Sequence, residues 1–347
     1  MGVINWIGEA IVAIFGAILW IVQALVDFVL WLGPALVWFL GWLPRRLTGR
    51  TDEQLPVGDT AERGFDYVRE GAAAFLDGFA DVTEFIIDFI LALLTRPPGE
   101  NWLAGRGFEP TFPWWTETTH AFLVVGLFVL LTWILQRNWK TCLLVAIGFL
   151  FVLDQGYWEA TAESLTLVLA ACLMCMAIGV PIGIAAAHRP RLYAWMRPVL
   201  DLMQTLPTFV YLIPAIVFFG IGMVPGLIAT VIFVLPAPIR LTYLGVSSTP
   251  PALLEAARAF GATPRQTLFK AELPYAFPQI MAGLNQTIML SLSMVVIAAL
   301  VGADGLGVPV IRALNSVNTS LGFESGFVIV VVAIMLDRML NVGSRRK

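Results

Sequence analysis

Seven apolar runs follow residue 119, at 120–136, 140–154, 161–187, 198–222, 225–243, 279–302 and 326–342. About 20 apolar residues in a helix cross a hydrocarbon core. Inside that core each backbone N–H and C=O must be satisfied by the spanning structure itself, which leaves helices or closed barrels. A barrel would show short segments of alternating hydrophobicity, and those are missing. Composition agrees: 59% of the 347 residues are hydrophobic and 13% are charged, with a mean hydropathy of +0.83. A soluble domain is nearer half and a quarter. The expectation is an all-α, polytopic helical membrane protein.

The placement of Lys and Arg orients the runs better than the net charge of -3 does. Arg137 with Lys140, then His188, Arg189, Arg191 and Arg197, then residues 255–274, then Arg345, Arg346 and Lys347 occupy alternate connections. The connections between them, at 154–161, 220–226 and 303–325, are acidic or neutral apart from Arg312. Positive-inside therefore predicts a cytoplasmic C-terminus and an external segment at 100–119. MGVINWIGEA at the start has neither a basic region nor a small-residue cleavage site, so it does not read as a removable signal.

The first hundred residues read differently. Residues 1–43 form an apolar membrane or interface helix with Asn5, Glu9, Gln23 and Asp27 on one face and a break at Gly33-Pro34. Residues 44–69 read as a polar loop. Residues 70–118 hold an amphipathic helix at 70–94, then the external segment with Trp114 and Trp115 as belt residues. On that helix Glu70, Asp77, Asp81, Glu84 and Asp88 share an arc, with Phe75, Phe79, Val82, Ile86 and Leu93 opposite. Two placements remain open: a helix in the interface with its acids in water, or a span whose acids line a polar path. Residues 119–347 are then the transmembrane domain.

Several chemistries find no support. No G-x-x-x-x-G-K-[ST] occurs, so ATP has no phosphate cradle in this chain. GADGLG at 302–307 reads as a tight turn at the end of a span. Cys142, Cys172 and Cys175 all fall in apolar runs, and C-x-x-C at 172–175 reads as two small packing residues. With His120 and His188 as the only histidines, no metal site is expected. No catalytic set and no nucleic-acid partner are expected either.

One charged stretch interrupts the apolar pattern: EAARAFGATPRQTLFKAELP, 255–274. Pro250-Pro251 ends what precedes it, and ALLEAARAF is a run of good helix formers. Gly261 stops that helix with a left-handed cap. Thr263 is an N-cap, with Pro264 at the first helical position and Gln266 at the third. The second helix should end at Leu273-Pro274, giving two short helices and a tight turn over 250–275. Leu253, Leu254, Ala257, Phe260, Leu268 and Phe269 should form their apolar inner faces, a surface shaped for another protein.

This stretch resembles the coupling loop of ATP-binding-cassette import permeases, E-A-A-x-x-x-G, nine residues, I-x-L-P. Glu255, Ala256, Ala257, Gly261, Leu273 and Pro274 match, and Ala271 stands at the isoleucine position. Residues 140–343, including RPVLDLMQTLPTFVYLIPAIVFFGIGMVPG (197–226) and GLNQTIMLSLSMVVIAALVG (283–302), resemble the permease of glycine betaine/proline osmoprotectant importers. The acidic helix more loosely resembles the N-terminal scaffold region of that group.

The resemblance implies a permease of a bacterial inner membrane, paired with a second copy of itself. It implies two copies of a separate ATPase that bind ATP and Mg, and no cofactor in this chain. With only SRRK after the last apolar run, it implies a separate extracytoplasmic binding protein. The implied cargo is a compact methylated amine: glycine betaine, proline betaine, choline, carnitine or trimethylamine N-oxide. Resemblance and polarity together mark Gln204, Thr205, Pro207, Tyr211, Asn285, Gln286, Ser291 and Ser293 for the substrate path, with interhelical hydrogen bonding the competing role for each. The alternatives are the same machine for an amino acid or phosphonate, and a scaffold or channel needing no ATPase.

Overall fold

The computed structural model describes residues 57–95 and 117–340. The helix expected at 1–43, loop residues 44–56, Trp114 and Trp115 in 96–116, and the basic residues after 340 lie outside the described residues. All regular structure within them is helical: α1 (Val57–Thr95), α2 (Glu117–Gln136), α3 (Trp139–Asp154), α4 (Trp158–His188), α5 (Pro190–Thr205), α6 (Leu212–Phe219), α7 (Met223–Val234), α8 (Pro236–Ser247), α9 (Pro251–Ala259), α10 (Pro264–Thr267), α11 (Leu273–Ala298), α12 (Gly307–Ser316) and α13 (Thr319–Leu340). A 3₁₀ turn at Thr208–Tyr211 precedes α6. Contacts divide the chain into two units, Met1–Val82 with Val217–Phe219, and Thr83–Ile216 with Gly220–Lys347.

Within the first unit, Phe65 meets Phe218 edge-on at 5.6 Å and Phe79 meets Phe219 at 6.2 Å. Here the structure corrects the polar loop expected at 44–69, because residues 57–69 belong to α1. Polarity was the wrong cue: GDTAERGFDYVRE is polar, yet most of it tolerates helix, and Phe65 continues the periodic contacts of the turns that follow. On α1 the acids Asp77, Asp81, Glu84 and Asp88 are exposed. The apolar face is narrower than expected. Ala72, Thr83, Ile87 and Leu94 are buried, whereas Phe75, Val82 and Leu93 are exposed.

The second unit is built around two seams. In one, Val124 and Phe128 of α2, Val145 and Phe149 of α3, Leu165 and Val168 of α4, and Val328 and Val332 of α13 form a buried cluster. Phe128 and Phe149 meet at 5.1 Å. In the other, α4, α8 and α11 approach through small residues. A Cβ on Gly179 would lie 2.9 Å from Pro238, and one on Gly183 would lie 2.6 Å from Thr242. A Cβ on Gly245 would lie 2.9 Å from the Cβ of Gln279. Such backbone approach is how membrane helices gain packing energy where lipid supplies no hydrophobic drive.

Trp158–His188, Met223–Ser247, Pro264–Val301 and Thr319–Leu340 are long and apolar enough to cross a membrane. The run at 198–222 is not one straight span: Pro190–Thr205 and Thr208–Phe219 are bent by 106°, the geometry of a broken span or of a re-entrant loop. The reason is Pro207, which pushes Leu206 into an extended conformation (φ −65°, ψ 138°) and ends α5. His120–Gln136 is a shorter apolar helix, and α3, at 16 residues, is shorter again. The connection at 303–325 is likewise no plain loop. It contains α12 and the first turns of α13, joined at Val317 with φ 51°.

The turn at 302–307 is tied down at both ends. Gly222 N–H donates to the Val301 carbonyl at 2.9 Å, and Leu306 N–H donates to Ser164 Oγ at 2.8 Å. Gly305, at φ +120°, lets the chain pass Ser164, where a Cβ would lie 2.5 Å from Oγ. Nearby, Tyr157 joins α3 to α4, and its phenol is pushed above the usual value by burial first and then by the Glu324 carboxylate to which it donates.

Candidate functional site

The charged hairpin forms much as its residues dictate. Helix α9 starts at Pro251 and ends at Ala259, where Gly261 takes φ +75°. Gly261 N–H donates to the Arg258 carbonyl at 2.9 Å and Ala262 N–H to the Ala257 carbonyl at 3.0 Å. These two bonds make a Schellman cap, which requires the left-handed residue that glycine supplies most cheaply. Two residues on, the N–H of Gln266 donates to Thr263 Oγ1 at 3.3 Å and the N–H of Thr263 donates to Gln266 Oε1 at 2.8 Å. That reciprocal pair is a capping box, and it starts α10 directly after the turn.

Two details differ from the sequence reading. The second helix does not stop at Leu273-Pro274. It passes through a π turn at Leu268–Glu272 and runs on as α11. Leu273 N–H donates to the Leu268 carbonyl, five residues back. The wider turn accommodates Pro274, which has no N–H and whose ring would crowd the carbonyl four residues earlier in a regular α-helix. Second, the apolar residues do not all face inward. Leu254, Ala257 and Leu268 are half-buried, but Leu253 is 45% exposed, Phe269 66% and Phe260 92%.

Of the residues matched to the coupling motif, Glu255, Ala256, Gly261 and Pro274 are exposed, and Ala257 and Leu273 are half-buried. No residue of α9 is buried. The hairpin therefore leaves Phe260 at the end of its first arm and Phe269 in the π turn exposed, as it does Glu255, Arg258 and Arg265.

The residues marked for the path separate into two groups. Gln286 and Ser293 lie with Gln279, Ala282 and Met289 on one exposed face of α11, at alternating intervals of three and four. Gln204, Thr205 and Pro207 are exposed at the bend after α5. The other three turn into helix packing. The Tyr211 hydroxyl donates back across the bend to the Met203 carbonyl, and its ring packs in a buried cluster with Ala229, Met294 and Val301. Asn285 Nδ2 donates to Asp337 Oδ1 at 3.4 Å. Ser291 is fully buried. Through Tyr211 and Met294 the inner corner of the bend meets α11, so both groups belong to one neighbourhood.

Two polar ties escaped the sequence. Arg240 Nη2 donates to Asp201 Oδ1 at 2.7 Å, and His188 Nε2 lies 2.9 Å from Glu272 Oε2. They join residues 39 and 84 positions apart, which no local spacing could reveal. Cys172 and Cys175 are buried free thiols, and Cys175 Sγ lies 3.7 Å from the Val231 carbonyl. Among the described residues no three His, Cys, Asp or Glu side chains gather as metal ligands.

Residues 179–342 match the family described as "Binding-protein-dependent transport system inner membrane component". The chain is 41% identical over 295 residues to the glycine betaine transport system permease protein OpuAB of Bacillus subtilis, covering 85% of this chain and 96% of that one. It is 43% identical over 243 residues to the glycine betaine/carnitine transport permease protein GbuB of Listeria monocytogenes, covering 69% and 86%. With the glycine betaine/proline betaine permease ProW of Escherichia coli it shares 50% over 202 residues, 58% of this chain and 56% of that one. Helical throughout its described residues, with several helices long enough to span and a likeness running along nearly the whole of one such permease, the chain belongs to the inner-membrane permeases of binding-protein-dependent transport systems.

Proposed function

We propose that the chain imports a small methylated amine of the glycine betaine type across a bacterial inner membrane. It works as a pair of identical permease chains, driven by two copies of a separate cytoplasmic ATPase that hold ATP and Mg. The observation that carries the coupling is the hairpin. Two opposed caps fix its turn, and Phe260 beside that turn and Phe269 in the π turn stand exposed. A groove on an ATPase would cover those rings, with Glu255, Arg258 and Arg265 meeting charges on its rim. Ala256 and Ala257 are small enough for close approach, and Leu273 and Pro274 hand the second arm on to α11.

The polar face of α11 supports the path. Gln279, Gln286 and Ser293 are exposed along a helix of membrane-crossing length, where polar groups avoid lipid and face protein or a water-filled cavity. In a pair of chains these residues, with Gln204, Thr205 and Pro207 at the bend, would border that cavity. Tyr211, Asn285 and Ser291 support its wall from behind. A separate binding protein would supply most of the affinity, since cation–π attraction in an aromatic cage suits a quaternary ammonium. The solute class rests on the relatives, which are named for glycine betaine, carnitine and proline betaine transport.

The test is reconstitution with the ATPase and binding protein. ATP-dependent uptake of labelled glycine betaine is expected, with choline and trimethylamine N-oxide as competitors. Uptake of none of these, with an intact ATPase complex, would move the assignment to another solute. Uptake without any ATPase would overturn the coupling.

A further inference from the structure

His188 is the last residue of α4, and both of its ring nitrogens face acceptors. Nδ1 lies 2.9 Å from the Ile184 carbonyl, and Nε2 lies 2.9 Å from Glu272 Oε2. A carbonyl only accepts, so Nδ1 carries a hydrogen. A neutral ring with its proton there would turn a lone pair toward the carboxylate. The pair is satisfied when it holds one further proton, giving a charge-assisted bond between His188 and Glu272. The Glu272 side chain is only 10% exposed, so this bond gives a nearly buried carboxylate its partner.

The position of the pair gives it a mechanical meaning. Glu272 sits in the π turn, between the hairpin's second arm and α11. His188 ends the helix that packs on α8 through Gly179 and Gly183. We propose that His188 is a positioning residue for coupling, anchoring the second arm of the hairpin to the end of α4 through Glu272, so that movement of the hairpin reaches α4 as well as α11. This rests on the reading of the hairpin as the ATPase contact.

The measurement is solute imported per ATP hydrolysed, in proteoliposomes holding the full complex. His188→Ala and Glu272→Ala should each lower that ratio by about tenfold, the scale of a charge-assisted hydrogen bond. The double variant should be no worse than either single one. Glu272→Gln should recover most of the ratio, because an amide N–H can donate to Nε2 of the neutral ring. If His188→Ala does not assemble, His188→Gln, whose amide can donate to Glu272, takes its place and should couple better than Glu272→Ala.

A wild-type ratio in His188→Ala, multiplied losses in the double variant, or a Glu272→Gln chain as poor as Glu272→Ala would each overturn the proposal. So would a His188→Gln chain no better coupled than Glu272→Ala. If the unaltered chain binds no ATPase, the reading of the hairpin fails instead, and the two failures are distinct.

Discussion

At Gly261 the backbone sits at φ +75° with nothing within 4 Å of where a Cβ would be. The constraint there is conformational, with no neighbour to clash. A β-branched residue should strain the turn by more than about 1 kcal/mol and misalign the two arms. Gly261→Val should insert normally but lose most ATP-driven uptake, whereas Gly261→Asn, which tolerates the left-handed region, should keep most of it. Equal uptake in both would remove the cap from the coupling argument. Gly183 is the opposite case. A Cβ there would meet Thr242 Cβ at 2.6 Å and the Ile239 carbonyl oxygen at 2.8 Å, so α4 and α8 must part. Gly183→Ala should cost about 1–3 kcal/mol of stability, read as a lower melting temperature in detergent. Gly126→Ala, with open space at its Cβ, should not lower it.

At the scale of elements, helix α1 carries the clearest test. Asp77, Asp81, Glu84 and Asp88 are exposed, and exposed charges are screened and individually contribute little. Changing all four to Asn or Gln should leave uptake largely intact while altering its salt dependence. Complete loss in a correctly inserted chain would show the acids lining a path. The legibility of the elements follows a physical line. Long apolar runs, the Thr263–Gln266 box and the Gly261 cap were readable because each is specified within a few residues. The start of α1, the 106° bend and the passage of α10 into α11 were not. A polar segment is helical only if something beyond it is buried, and a proline ends or merely widens a helix according to what surrounds it. The candidate site divides in the same way. Gln286 and Ser293 share an exposed face by periodicity alone, but the inward turn of Tyr211, Asn285 and Ser291 depends on partners 8 to 52 residues distant or on another helix.

For the whole molecule, the alternation of basic connections predicts the orientation. A cysteine introduced at Asn318, between α12 and α13, should react with a membrane-impermeant thiol reagent in intact cells. One at Lys270, in the hairpin, should be shielded until the membrane is opened. Labelling at Lys270 alone would invert the assignment. The π turn gives that orientation a further consequence. Because it joins the hairpin to α11 without a break, Pro264–Val301 is one helical stretch of 38 residues. At 1.5 Å per residue such a rod is about 57 Å long, so tilting it by about 10° around its middle carries each end through about 5 Å. If the stretch moves as one rod, a small swing imposed at the hairpin end would reappear, with opposite sense and equal reach, at the turn on the far side.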